Sequence, residues 1–431
     1  MKWLSTKSTF QPFIFMALLV FHFSCREKQA VDNTSDEAVR KRADTLAHRY
    51  GIIDGHVDLP TVLYEKNFHP GKDNDTLLHT KKGEFDYERA IRGGLYAPFM
   101  SIYIPAAYQK KKDNGKAFAD TLINMVRGIA SSLPDKFALA NSPDQIKTNF
   151  AAGKISLPMG MENGAPIGKE LKNIQYFYDR GIRYITLTHS KDNLICDSSG
   201  DTTHTWNGLS PFGREVIKEM NRVGIMVDIS HVDDSTFYQV MKVSKVPCIA
   251  SHSSCRYFAP SVRRDMTDDM IQALGKNGGV VLINFYKAFL DSTVANWNQE
   301  NRKKARLLIA EKKMPYSDSL ARSLVSQLEK ENHSPPVDIA VVADHIDHVV
   351  NLIGIDHVGL GSDFDGVDGS LPAGLSDVSM YPNLIYVLLK RGYTEKDIEK
   401  ICGDNFRRVW QQVLDGAEGK KQGVGSKNAQ P

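Results

Sequence analysis

Cysteine is scarce in this chain, with five in 431 residues and none in a Cys-x-x-Cys pair. A thiolate zinc site is therefore not expected. Cys196 could join another cysteine in an oxidising compartment, but spacing alone does not establish a bridge. An excess of either charge is missing too: 54 Lys plus Arg face 51 Asp plus Glu, a net charge of +3. No field suited to nucleic acid or to an anionic membrane follows from that balance. No Gly-x-Gly-x-x-Gly follows a strand pattern, so nothing supports a dinucleotide site. "GLGSDFDG" lacks the Lys-Ser/Thr of a phosphate loop. Internal repeats are absent as well.

Long apolar runs are missing from the mature part. The N-terminal one, residues 13–21, is too short for a spanning helix of about 20 residues. It follows Lys2 and Lys7 and ends in "HFSC", the order of a secretory signal. Cys25 at its end suggests a bacterial lipoprotein, with the cysteine becoming the lipidated first residue, although His22 stands where a leucine is usual. The expected organisation is a signal over 1–25, a flexible tether over 26–45, a catalytic domain over 46–415 and a disordered tail over 416–431. The expected location is the bacterial cell envelope, lipid-anchored after export, with a secreted or periplasmic form as the alternative.

The domain alternates short apolar runs with helical patterns, the mark of a parallel α/β sheet. Eight runs stand out: 50–58, 95–103, 155–163, 184–189, 225–230, 248–253, 279–286 and 357–364. Several are almost continuously apolar, as strands buried on both faces are. Eight strand–helix units predict a (β/α)₈ barrel rather than an open doubly wound sheet. A helical insertion at about 287–335 falls between strands 7 and 8.

Polar residues gather where these runs end. The first run closes on His56 and Asp58, which are two apart and so share one face of a strand. The others close on Glu162, His189, His231, His252 and Asp363. All strand C-termini of such a barrel open onto one face, where active sites are built. Four imidazoles and three carboxylates without thiolates suit a zinc-like divalent ion. Seven groups exceed the need of one ion, which suggests a two-metal site with a bridging carboxylate.

At this point the sequence resembles the membrane (renal-type) dipeptidases, binuclear zinc peptidases of the amidohydrolase superfamily. The likeness covers about residues 50–412. It rests on "DGHVDLP", "GGLYAPFMSIY", "GMENG", "YITLTHS", "GLSPFGREVIKEMNRVGIMVDISHV", "ASHSS", "LINFY" and "GIDHVGLGSDFDG" in the family's order. The resemblance implies two Zn²⁺ per subunit, His56 and Asp58 on one, His231 and His252 on the other, and Glu162 bridging. It implies hydrolysis of dipeptides, D-residues at the second position included, by a metal-bridging hydroxide. His189 would contact the substrate carbonyl, Asp363 would accept and return the proton, and Arg264 would bind the substrate carboxylate, with Arg263 as fallback. Family members are often dimers.

Other readings stand beside this one. Another amide or ester hydrolase of the superfamily, or a non-catalytic peptide-binding lipoprotein, uses the same barrel. His345 and His348 in "ADHIDH" have a spacing that can bind metal, but they fall in a helix leading into strand 8 and read as packing or surface residues. His204 and Trp206 either touch substrate or pack. Asp228 and Asp365 read as residues that orient their neighbours.

Overall fold

The computed structural model describes residues 35–80, 82–315 and 318–417, together with residues 1 and 3. Cys25, the start of the expected tether and the tail from residue 418 lie outside them. Among the described residues no helix is long and apolar enough to cross a membrane.

Eight parallel strands close into a barrel, as the eight runs predict: β1 (Ile52–Val57), β2 (Leu95–Tyr103), β3 (Met159–Glu162), β4 (Ile182–Thr186), β5 (Met226–Asp228), β6 (Ile249–Ser253), β7 (Val280–Ile283) and β8 (Val358–Leu360). Their order around the barrel is the order in the chain, and β8 pairs with β1 through Leu360 and Asp54. Helices pack outside. The insertion after β7 consists of helices Lys287–Leu290, Ser292–Glu311 and Asp318–Glu331, followed by Ile339–Ile353 leading into β8.

The end of the barrel opposite the strand C-termini is plugged by helix Asn405–Gly416. Phe406, Val409, Trp410 and Val413 pack there with Ile53, Phe99, Tyr184 and Val280. Phe99 sits 4.8 Å from the Phe406 ring and 5.3 Å from Trp410. Each such buried side chain contributes roughly 1.5–3 kcal/mol.

Two boundaries depart from expectation. The tether expected to residue 45 gives way to α1 (Asp36–Tyr50), capped by Ser35, whose hydroxyl accepts from the Ala38 amide. Val39, Ala43, Leu46 and Ala47 share one face, and the last three are buried. That apolar stripe in a charged segment is what turns it into a helix. The run 155–163 also splits in two. Pro158 has no N–H for a ladder, so Ile155–Leu157 pairs instead with Phe137–Leu139 in a side sheet.

Candidate active site

Two interior aspartates decide where the strands stop. Asp54 Oδ1 accepts from the His56 and Ser362 amides at 2.9 and 3.0 Å, and the Tyr381 hydroxyl donates to its other oxygen. Asp228 Oδ1 accepts from the Ser230 and Ser251 amides at 3.1 and 2.8 Å. These amides bind side chains instead of neighbouring strands, which shortens the ladders. His189, His231 and Asp363 each lie three residues past a strand end, on loops rather than on the strands. His231 (φ 68°) and Asp363 (φ 66°) take left-handed backbone, a conformation that costs an ordinary residue energy and collects at functional sites.

The seven side chains meet at the mouth. Glu162 stands at the centre and divides its oxygens. Oε2 lies 3.5 Å from His56 Nε2, whereas Oε1 lies 3.0 Å from His231 Nε2 and 3.4 Å from His252 Nε2. His56 Nε2 is also 3.3 Å from Asp58 Oδ2, and His189 Nε2 is 3.7 Å from Glu162 Oε1. Asp363 joins through its amide, which donates to the His56 carbonyl at 3.1 Å, while the Asp58 amide donates to Phe364 O at 2.9 Å. Asn284 Nδ2 donates to Asp363 Oδ2 at 2.9 Å. Gly366 makes room for this pair: a Cβ there would fall 2.3 Å from Asp58 Oδ2 and 2.5 Å from Asp363 Oδ1.

Whether these residues fit metal is decided behind the ring nitrogens. His56 Nδ1 lies 2.8 Å from the Tyr184 hydroxyl, which itself donates to Gly55 O at 3.1 Å. The hydroxyl's proton is thus used, so Nδ1 carries a hydrogen and Nε2 is the nitrogen turned toward the acids. The same logic holds at His252: Ser251 Oγ donates to Asp228 Oδ2 at 2.6 Å and accepts from His252 Nδ1 at 2.7 Å. Such partners fix the tautomer of a ligating imidazole. His56 Nε2 is buried against carboxylate oxygens of Asp58 and Glu162, at 3.3 and 3.5 Å. Ligand atoms of His56, Glu162 and His252 lie within 4.8 Å of one another, as do those of Glu162, His189 and His231, and of His56, Asp58 and Asp363. The donor set fits divalent cations.

Electrostatics agree. Burial, with the charges of Arg264 and neighbouring histidines, pushes His231 and His252 well below the usual imidazole range, which leaves them neutral as ligands must be. Burial alone would depress His56, but Tyr184, Asp58 and Glu162 outweigh it and hold its pKa well above normal, so without a cation it carries a proton that a bound ion would displace. Burial would raise Glu162, yet His56 and His189 keep it well below the usual carboxylate value. Two buried acids and the half-buried Asp363 around one point call for positive charge.

Arg264 Nη1 donates to Ser253 Oγ and its Nη2 to His252 O, both at 2.6 Å, while its Nε is buried without an acceptor. Arg263 is exposed, so the mouth takes Arg264. His345 stays inside its helix bundle: its Nδ1 accepts from the Cys255 amide and its Nε2 meets Leu290 O, both at 3.0 Å. His348 pairs with Asp268 at 2.8 Å. Trp206 Nε1 donates to Asn193 O at 2.8 Å, pinning its loop. His204 faces Asp233, which caps helix Asp234–Val243 and forms with Asp197 a separate cluster. The described cysteines Cys196, Cys248, Cys255 and Cys402 are buried free thiols.

A closed parallel barrel with imidazoles gathered around a shared carboxylate at its mouth defines a metallohydrolase. The model of the membrane dipeptidase family (peptidase family M19) matches residues 40–423, and the chain belongs to that family of dipeptidases. An uncharacterized dipeptidase of Schizosaccharomyces pombe is 33% identical over 389 residues, covering 87% of this chain and 84% of that protein. Dipeptidase 3 of Rattus norvegicus is 31% identical over 385 residues, covering 88% and 68%. The crystal structure of the probable dipeptidase PvdM from Pseudomonas aeruginosa is similar at a TM-score of 0.76 and 25% identity, over 88% of this chain and 100% of that one.

Proposed function

We propose that this dipeptidase works with two zinc ions, one held by His56 and Asp58, the other by His231 and His252, with Glu162 shared between them. The observation that carries the reading is the split of Glu162, one oxygen toward His56 and the other toward His231 and His252. Nitrogen and oxygen donors without thiolate suit zinc. Bound divalent ions polarise a carbonyl and lower the pKa of water toward neutrality.

The chain's own groups do the rest. His189, at the edge of the mouth with its side chain 21% exposed, is placed to donate to the substrate carbonyl as negative charge develops there. Arg264 offers a planar guanidinium to the terminal carboxylate. Without the ions, burial and the charge of Asp58 push Asp363 up to about 7; bound cations lower that value, and a carboxyl so placed takes and returns a proton. Asn284 holds one of its oxygens and fixes the other beside Asp58. Substrates ending in a D-residue belong to the proposed set, and Gly-D-Ala tests them.

Metal analysis with hydrolysis of simple dipeptides tests the whole reading. Asp363→Asn is expected to keep two zinc equivalents while turnover falls by roughly 10²–10⁴. Wild-type rates in that variant would remove Asp363 from its role. A wild-type protein with one ion at full activity would remove the shared carboxylate.

A further inference from the structure

Beside the mouth lies a cavity of about 460 Å³ that the proposed chemistry does not use. Its walls come from two segments of the catalytic face: the loop after β6, with Ser261 and Val262, and the short helix Lys287–Leu290 after β7, with Ala288 and Phe289. The remaining side is helix Ser292–Glu311, which presents Arg302, Lys303 and Arg306. The lining thus has an apolar floor and three cations, and among the described residues no carboxylate is part of it. A free surface usually intersperses both signs, so a concave site of one sign is selective for its opposite.

The cavity adjoins the mouth across one ring. Phe289 forms part of the cavity wall, and the Arg264 guanidinium carbon rests 5.6 Å from the centre of the same ring. A dipeptide whose terminal carboxylate meets Arg264 therefore has its last side chain beside Phe289, at the wall of this cavity. The far wall is braced: Asn298 Nδ2 donates to the Tyr286 hydroxyl at 2.9 Å, and Arg302 Nε donates to Asn298 Oδ1 at 3.4 Å. Arg302 is held by neutral partners, which leaves its charge uncompensated for a ligand.

We propose that this cavity receives an anionic side chain on the C-terminal residue of the substrate, so that dipeptides ending in Asp or Glu are preferred over those ending in neutral residues. The proposal rests on the dipeptidase reading above and names its substrate class. Arg302 and Arg306 supply the attraction from an exposed helix face, and Phe289 with Val262 packs the methylene stem.

The test uses the full chain loaded with zinc and three substrates, Ala-Glu, Ala-Gln and Ala-Ala. The expected result is a kcat/KM for Ala-Glu roughly tenfold above that for Ala-Gln, the scale of two partly screened charge contacts. In the double variant Arg302→Ala/Arg306→Ala the ratio falls to near one, through KM for Ala-Glu rather than kcat, and raised salt erodes the wild-type ratio in the same way. A wild-type enzyme that splits Ala-Gln as well as Ala-Glu overturns the cavity's role and leaves the dipeptidase mechanism standing. So does a preference that survives the double variant. Failure to split any of the three overturns both.

Discussion

His252 owes its bare Nε2 to two residues that never face the mouth. Ser251 takes the imidazole hydrogen and passes its own to Asp228, whose carboxylate also accepts from Thr186 Oγ1 at 2.5 Å. Removing the serine hydroxyl leaves His252 Nδ1 without an acceptor and lets the tautomer and the ring drift. Ser251→Ala is therefore expected to weaken zinc affinity by roughly 10–100-fold with the fold intact, measured by competition against a chelator and by circular dichroism. Unchanged affinity would show that the ring is held by the ion alone. The mouth residues were legible in the sequence because a His or an acid after an apolar run is conspicuous. Asp54, Tyr184 and Ser251 were not, although Asp54 and Asp228 left a signal: an ionisable residue inside an otherwise apolar strand. Tyr184 and Ser251 look like ordinary strand residues, and only closure of the barrel brings them behind the histidines.

Strands were read from their apolar stretches and came out in the right number and order, but their ends did not. Hydrophobicity marks what is buried, whereas ladder length depends on where backbone amides find partners. The Asp228 carboxylate, the Asp54 carboxylate and Pro158 each move those partners, and none of them marks in the apolar pattern where the ladder stops. The short strand Phe137–Leu139 was missed because three residues carry no periodicity. One element-level constraint was equally silent. Gly160 of β3 lies under Tyr184 of β4, and a Cβ there would meet ring atoms at 1.9–2.3 Å. That ring is locked on its other side by Phe99, with centroids 5.4 Å apart. Gly160→Ala must push Tyr184 away from His56. The expected outcome is a loss of about 1–3 kcal/mol in denaturant unfolding, the usual range for overpacking, together with weaker metal retention. If the variant unfolds at the wild-type midpoint, the barrel interior has slack that these distances do not show.

Across the whole molecule, what the sequence hid most fully is how distant loops are fastened over the barrel mouth. The loop before helix Tyr87–Gly93 is clipped to the loop after β8 by Glu84 and Asp365. The Glu84 amide donates to Asp365 Oδ1 at 2.7 Å, and the Asp365 amide donates in return to Glu84. Residues 281 apart in sequence share this contact: Asp365 reads in sequence as a residue that orients a neighbour, but nothing there singles out Glu84 as its partner. Burial, reinforced by the charge of Asp365, pushes Glu84 up to about 8, and burial also raises Asp365. The folded protein therefore holds a proton on the pair that the unfolded chain, with a normal glutamate near 4.5, has already released. Stability follows the difference in bound protons between the two states. With more protons on the folded side, it must fall as pH rises from about 4.5 to about 8, and level off above. Glu84→Gln keeps an acceptor for the Asp365 amide and supplies a donor for its carboxylate, as the protonated acid does, but carries no charge. The melting temperature of wild type relative to Glu84→Gln should thus drop steadily across that window, with the variant the more stable at pH 8.5. Parallel melting curves at pH 5, 7 and 8.5 would mean that the two acids are both ionised in the folded protein, and that some other cation holds the loops together.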